Sequence, residues 1–177
     1  IIKYPGREEW SSLIKRPALD VTTLFDTVRT VLDEVREQGD IAVKAYEEKF
    51  DKVLLSSLQV SEEEMREADA LVAEDLKQAI RTAKANIEKF HASQRFEGKK
   101  VETTPGVTCW QKAVAIEKVG LYIPGGTAPL FSTVLMLAVP ARIAGCKEIV
   151  LCTPPNREGK VHPAILFAAE VAGVSKI

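Results

Sequence analysis

The sequence of 177 residues is poor in several residue types, and each shortage excludes a class of protein. It has three cysteines, two histidines and only 6% aromatic residues. A domain of this length can bury about two-thirds of its unfolded surface, so it needs no disulfide or metal to fold. The cysteines are odd in number and form no Cys-x-x-Cys pair. We therefore expect Cys109, Cys146 and Cys152 to be reduced, buried thiols of a cytoplasmic protein.

Net charge and long apolar runs are also scarce. The chain has 24 Lys and Arg against 25 Asp and Glu, which leaves a formal charge of -1. Such a balance does not attract phosphate backbones or anionic lipid, so neither nucleic acid nor a membrane is expected as a partner. The longest apolar region, residues 128–144, is interrupted by Pro129, Pro140 and Arg142 and does not predict a membrane span. A secretory signal is not expected either.

The two ends of the chain are unusual. It opens on Ile1 without a Met, and it closes on residues 174–177, which follow a helix-like segment and a glycine. These last residues have the character of a buried strand that has just begun. A strand that stopped there would leave unpaired backbone groups. We therefore expect the chain to be cut from a longer one.

Residues 1–100 are predicted to form a helical N-terminal region. Asp20, Asp40 and Ser61 each stand where they could cap a helix, and Ser61 with Glu64 has the spacing of a capping box. The charged faces are expected to be solvated, with an oligomer contact as the alternative. The apolar stripes at helical spacing are Leu24, Phe25, Val28, Leu32 and Val35 in the first helix, Ile41, Ala45, Tyr46 and Phe50 in the second, and Leu76, Ile80, Ala83, Ile87 and Phe90 in a long helix beyond Ser61.

Residues 101–177 are predicted to form a partial Rossmann-like α/β domain. Short all-apolar strands that alternate with helices favour a parallel sheet covered on both faces. No low-complexity linker separates this region from the first, so the helical region should pack directly on it. The predicted elements are a strand-like stretch at 101–116 with a turn at Pro105–Gly106, strands at 118–122 and 148–152, helices at 132–144 and 161–172, and a strand from 174.

A candidate ligand-binding loop, Tyr122–Pro129, follows the first of these parallel strands. In open parallel sheets, ligands bind beyond the carboxyl ends of the strands. Adjacent Gly125 and Gly126 permit positive φ and a close backbone approach, while Pro124 and Pro129 restrict the loop. The amides at the start of the next helix suit a pyrophosphate or carboxylate. Hydroxyl donors and a flat phenol ring are offered by Thr127, Ser132, Thr133 and Tyr122.

The alternative is that this loop is a tight turn and that Tyr122 is a packing residue. Its glycines, Gly120, Gly125 and Gly126, do not have the Gly-x-Gly-x-x-Gly spacing, and no Gly-Lys-Ser/Thr ending marks a P-loop. Nothing places His91 and His162 together, and the Cys spacing does not predict zinc. The residues alone therefore predict a ligand loop without a complete catalytic site.

Several segments together resemble the histidinol dehydrogenase family. The resemblance covers nearly the whole chain and is least clear in residues 1–18. The longest matching run is Val119–Cys146, which contains Tyr-Ile-Pro-Gly-Gly. The other matching segments are Gly39–Val43, Lys49–Asp51, Asn86–His91, Pro105–Val107 and Ile149–Pro155.

The resemblance implies an oxidoreductase of the last two steps of histidine biosynthesis. Members of the family oxidise L-histidinol through L-histidinaldehyde to L-histidine and reduce two NAD+ in succession. They are homodimers with a zinc ion in each site, and their fold is related to that of aldehyde dehydrogenases. The zinc ligands and a Glu–His acid–base pair belong to the family's C-terminal half, so this chain would be an inactive N-terminal fragment.

One site residue follows clearly from the resemblance. The tyrosine of the Tyr-Ile-Pro-Gly-Gly motif contacts NAD, which makes Tyr122 cofactor-binding, and Pro124, Gly125 and Gly126 would shape the same pocket. No catalytic or metal-binding residue is expected here. The alternatives are a non-catalytic nucleotide-binding or dimerisation module and an aldehyde dehydrogenase relative. The latter would need an activated cysteine, of which the sequence gives no sign.

Overall fold

The computed structural model describes residues 2–16, 20–126 and 128–177. It divides into two compact units, Ile1–Val43 and Lys44–Ile177. The two units are described separately below. The division proposed from the sequence, at residue 100, stays a prediction.

The first unit is built from short helical segments. Two 3-10 turns, Arg7–Glu9 and Thr22–Leu24, precede helices α1 (Trp10–Leu13) and α2 (Phe25–Gln38). The helix predicted after Asp20 is confirmed, but Asp20 does not cap it and instead binds Thr22, the first residue of the preceding 3-10 turn. Its carboxylate accepts hydrogen bonds from the amide and hydroxyl of Thr22, at 3.0 and 2.6 Å.

The apolar stripe of α2 is largely exposed. Phe25, Val28 and Leu32 are 59%, 51% and 58% exposed. Among residues 2–16 and 20–43, α2 packs mainly on the 3-10 turn that precedes it, and no second layer of these residues covers its apolar side. Gly39 ends α2 as predicted, with a φ of 57°.

Three more helical segments follow. Helix α3 (Asp40–Tyr46) continues into a π-helical turn, Glu47–Asp51, which ends at left-handed Lys52. Helix α4 spans Glu62–Leu71, and helix α5 spans Glu74–Ala92. Ile80 of α5 is 1% exposed, as its apolar stripe predicts. At the end of the stripe, Phe90 is 62% exposed and lies edge-on to His91.

The capping box predicted at the start of α4 is half formed. The Ser61 hydroxyl accepts a hydrogen bond from the Glu64 amide at 3.1 Å, as the motif requires. The Glu64 carboxylate does not complete the box. Its Oε1 instead accepts a hydrogen bond from the amide of Val161 at 3.0 Å, which ties α4 to a loop 97 residues further along the chain.

An antiparallel hairpin follows α5. Strands β1 (Lys100–Thr104) and β2 (Val107–Trp110) are joined by the predicted Pro105–Gly106 turn, where Gly106 has a φ of 82°. Every residue of both strands is exposed. The strand-like stretch predicted over 101–116 therefore holds only as far as residue 110.

A parallel sheet forms the rest of the second unit. Its elements are β3 (Lys118–Tyr122), α6 (Phe131–Ala144), β4 (Glu148–Cys152) and α7 (Pro163–Ala172). Strands β3 and β4 pair in parallel, and an isolated parallel bridge joins Val150 to Lys176. The predicted order of strands and helices, and with it the α/β class, is confirmed.

The prediction that both faces of this sheet are covered is wrong for the described residues. Leu121 and Leu151 point into the core, whereas Tyr122 and Cys152 lie on the opposite, exposed face. The cause is that α6 and α7 pack against each other on one side of the sheet. Right-handed crossovers that step across a sheet in one direction place their helices on the same face.

The core lies between α6, α7, the sheet and α5. Helix α5 packs on α6, and α4 packs on α7, so the predicted direct packing of the helical region on the α/β region is confirmed for these two helices. The largest fully buried side chains are Ile80, Ile123, Leu135, Ile149, Leu151, Leu166 and Val134. The core thus positions the carboxyl ends of β3 and β4 at one edge of the unit.

Candidate functional site

The segment between β3 and α6, residues 123–130, is called the cofactor loop below. Ile123 is fully buried, and its amide donates a hydrogen bond to the Cys152 carbonyl at 2.9 Å. Pro124, Gly125 and Gly126 are exposed, and Pro129 and Leu130 are half-buried again. The loop is therefore an exposed excursion that is anchored on the sheet at its start.

Tyr122 precedes this loop as the last residue of β3. Its side chain is 64% exposed and lies on the open face of the sheet. In the register of the sheet its partner is Cys152, which is also exposed. This exposure does not suit a packing role, and it leaves the ring accessible to a flat ligand.

The two adjacent glycines do not use the conformation that the sequence suggested. Neither Gly125 nor Gly126 has a φ in the left-handed region. A Cβ added to Gly125 would lie 2.6 Å from Cγ of Pro154, a separation that real side chains do not adopt. A Cβ on Gly126 would meet nothing within 4 Å. Gly125 is therefore required by the approach of Pro154.

The cofactor loop leads into an uncapped helix N-terminus. Leu130 is the N-cap residue of α6, no side chain caps the helix, and its first turn carries no acidic residue. The amides of a first helical turn have no partner inside the helix and favour anions. Ser132 is exposed and Thr133 half-buried, whereas Thr127 lies outside the described residues.

A second loop, residues 153–162 between β4 and α7, leaves the same edge of the sheet. It is called the β4–α7 loop below. Asn156 folds it into a turn, since its side-chain oxygen accepts hydrogen bonds from the amides of Glu158 and Lys160 at 3.1 and 2.9 Å. His162 Nδ1 accepts a hydrogen bond from the Ala164 amide at 3.2 Å and so caps α7.

Two carboxylates of α4 hold this β4–α7 loop in place. Glu64 accepts the Val161 amide, and Glu67 forms a 2.6 Å ion pair with Lys160. The hydrogen bond and charge of Lys160 lower the pKa of Glu67, and the same contact raises the pKa of Lys160. The sequence predicts that the strand ends at residue 152, and the residues that follow it were not assigned to the site. A paired proline at the carboxyl end of a strand was the available signal for a second loop beside the first.

The histidines and cysteines do not form a metal site. His91 Nδ1 lies 2.7 Å from the side-chain oxygen of Gln94, whereas His162 caps α7. Within residues 2–16, 20–126 and 128–177, no three His, Cys, Asp or Glu side chains converge to hold a metal ion. The expectation of buried thiols is wrong, because Cys109 and Cys152 are exposed and Cys146 is half-buried; all three are free.

A cavity of about 840 Å³ lies between the C-terminal end of α5, residues 111–116, β3 and the C-terminal half of α6. None of its lining residues belongs to the cofactor loop.

Among the described helices, none is both long enough and apolar enough to cross a membrane.

Comparisons with known proteins give a consistent result. The family model for histidinol dehydrogenase matches residues 14–177. Histidinol dehydrogenases of Bacteroides thetaiotaomicron and Bacteroides fragilis (strain ATCC 25285) are 69% and 67% identical to the chain over all 177 residues. The histidinol dehydrogenase of Shigella boydii is 47% identical over 171 residues, which cover 96% of this chain and 38% of that protein.

The fold is similar to that of a solved member. A crystal structure of histidinol dehydrogenase from Elizabethkingia anophelis matches with a TM-score of 0.90 and 50% identity, over 96% of this chain and 39% of that one. The chain spans 41% of the length of the two Bacteroides relatives. Since the family model covers all but the first residues, the chain belongs to the histidinol dehydrogenase family.

Proposed function

We propose that this chain is the N-terminal part of an NAD- and zinc-dependent histidinol dehydrogenase. The complete enzyme would oxidise L-histidinol through L-histidinaldehyde to L-histidine, in histidine biosynthesis. The observation that carries the proposal is the family match over residues 14–177. The relatives, of which the chain spans 41%, supply the length in which the rest of the site would lie.

The carboxyl edge of the sheet fits one end of an NAD molecule. The exposed Tyr122 ring would contact the base or ribose, and the backbone of Pro124, Gly125 and Gly126 would form the adjoining wall. The uncapped start of α6 would face the pyrophosphate. NAD supplies the hydride acceptor when bound. The residues of this chain bind and orient it, and the parallel β3–α6–β4–α7 order supports a Rossmann-like fold related to aldehyde dehydrogenases.

Zinc does not fit the donor groups of the described residues. A zinc site needs three or four convergent ligands. In the described ranges His91 and His162 serve other contacts, and no suitable cluster of His, Cys, Asp or Glu forms. We therefore propose that the zinc ligands and the Glu–His acid–base pair lie outside this chain.

The exposed apolar side of α2 favours a second candidate, a non-catalytic nucleotide-binding or dimerisation module. Phe25, Val28 and Leu32 form a contact surface of the kind found at protein interfaces. This surface is equally compatible with the proposed cytoplasmic homodimer of the complete enzyme. Only turnover distinguishes the enzyme from the module.

The test compares the isolated chain with the longer protein that we propose contains it. The longer protein should form NADH from histidinol, and the isolated chain should form none and bind no zinc tightly. In the longer protein, Tyr122→Ala should raise KM for NAD about tenfold, since base–aromatic stacking contributes about 1–3 kcal/mol. The matched control is Tyr4→Ala, because the Tyr4 ring is 99% exposed and lies in the other unit.

Two results would contradict the proposal. NADH formation by the isolated chain would show that its own residues complete the site. An unchanged KM for NAD in Tyr122→Ala would make Tyr122 a surface residue without a cofactor role. Tyr122→Phe separates the two parts of the contact, since it keeps the ring and removes the hydroxyl.

A further inference from the structure

The cofactor loop and the β4–α7 loop meet where Gly125 lies against Pro154. Both leave the carboxyl ends of paired strands, and Gly125 in the first packs against the Pro154 ring in the second. An added Cβ on Gly125 would lie 2.6 Å from Cγ of Pro154 and 3.7 Å from its Cβ and Cδ. A single ring carbon therefore excludes every side chain at Gly125.

Pro154 cannot easily yield, because its loop is held on both sides. On the N-terminal side, Cys152 is fixed in β4 and accepts the Ile123 amide. On the C-terminal side, Asn156 folds the loop into a turn, and the Glu64–Val161 hydrogen bond and the Glu67–Lys160 ion pair join the loop to α4. The proline ring also restricts its own backbone. The contact with Gly125 is thus made by a braced residue on a loop that the sequence analysis did not assign to the site.

We propose that Pro154 is a positioning residue for cofactor binding, which sets the path of the cofactor loop through its contact with Gly125. This inference rests on the proposed function, because it assigns the contact a role in NAD affinity. Pro154 need not touch the cofactor. It holds the Gly125–Gly126 backbone in a position that lets Tyr122 and the N-terminus of α6 contact the same ligand. A loop without this support samples other paths and binds NAD less tightly.

The test is a double-mutant cycle in the longer protein, with the dissociation constant for NAD, KM and kcat as readouts. Gly125→Ala should weaken NAD binding about tenfold and Pro154→Ala about threefold, within the usual size of coupled effects. In the Gly125→Ala/Pro154→Ala variant the clashing Cγ is gone. Its NAD affinity should return to within about twofold of Pro154→Ala alone. KM for NAD should follow these changes while kcat stays near that of the parent protein.

Gly126→Ala provides the matched control for the cycle. Its added Cβ meets no atom within 4 Å, so whatever effect it has should not be relieved by Pro154→Ala. Equal NAD affinities in Gly125→Ala and the double variant would overturn the positioning role. Should Gly125→Ala fail to fold, recovery of folded protein in the double variant supports the contact, and failure of both overturns it.

The cycle also separates this inference from the function on which it rests. If Tyr122→Ala weakens NAD binding but no member of the cycle does, the cofactor site stands and the role of Pro154 is wrong. If Tyr122→Ala and Gly125→Ala both leave NAD binding unchanged, the loop is not a cofactor site. The proposed function and the positioning role then fail together.

Discussion

Helices α2 and α5 are both amphipathic, yet their apolar stripes have different surroundings. In α5, Ile80 is 1% exposed and packs in the core beside α6 and α7. In α2, Leu32 is 58% exposed. The two stripes have the same helical spacing, so the difference lies in the layers that each unit supplies. An apolar stripe shows that a helix has a contact face, but it does not show which part of the protein covers that face.

The same contrast holds for charged groups. On α2, Arg36 pairs with Asp33 one turn away, and both side chains are largely exposed. In the second unit, Lys160 pairs with Glu67 across 93 residues of sequence, and Lys176 pairs with Glu148 across 28. Local pairs support a helix that already exists. Long-range pairs join segments that the chain must first bring together, so they report on the tertiary fold.

The largest expected effect on stability comes from truncating one side chain in each stripe, the buried Ile80 and the exposed Leu32. Ile80→Ala should lower the free energy of unfolding by about 2–5 kcal/mol, since it removes buried methyl groups and leaves a cavity. Leu32→Ala should change it by less than about 1 kcal/mol, because the side chain is already largely in water. Urea unfolding of the 177-residue chain measures both. A loss in Leu32→Ala as large as that in Ile80→Ala would show that the α2 stripe is covered, and the comparison would fail.

A second effect tests how the α4 carboxylates brace the β4–α7 loop. Glu64→Ala should lower the free energy of unfolding by about 1–3 kcal/mol, because the half-buried Val161 amide loses its partner. The matched control is Glu63→Ala, whose carboxylate only pairs with Arg66 on the same exposed helix face. Chemical denaturation of both variants should separate them. Equal losses would mean that the Glu64–Val161 hydrogen bond adds nothing beyond a surface charge.

Some of these features could be predicted from the sequence alone, and others could not. The α5 stripe and the order of the parallel elements follow from local periodicity, and both are confirmed apart from Phe90. The Glu64–Val161 hydrogen bond was missed because a capping box offers Glu64 a nearer partner, and local reasoning always selects the nearer one. The Gly125–Pro154 contact was missed because it depends on two loops that meet only when β3 and β4 pair.

The prediction that both faces of the sheet are covered failed for another reason. Strands such as Glu148–Cys152 are apolar almost throughout, which is typical of strands buried on both faces. That pattern records what a strand can tolerate on each face. In this chain only one face is covered by α6 and α7, and Tyr122 stands on the other. The place of the loop after β3 and of Tyr122 at the strand end could therefore be predicted from the sequence, whereas their exposure could not, and their role in cofactor binding stays a prediction.

The smallest expected effect is a pH dependence of the long-range pairs. Hydrogen bonds from Lys176 and Lys118 lower the pKa of Glu148 below its usual value of 4.5. A carboxylate with a depressed pKa stabilises the folded state above its ordinary pKa and loses that contribution as pH falls through the folded-state value. Thermal unfolding should therefore show the parent chain and Glu148→Gln differing near neutral pH and converging below about pH 4. The Asp33→Asn variant of the local α2 pair should differ little from the parent at either pH, because Asp33 and Arg36 are both exposed and their pair joins no distant segments. If the stability difference between the parent chain and Glu148→Gln did not depend on pH, the contact of Glu148 with Lys118 and Lys176 would act through packing. The contrast between local and long-range pairs would then not be electrostatic.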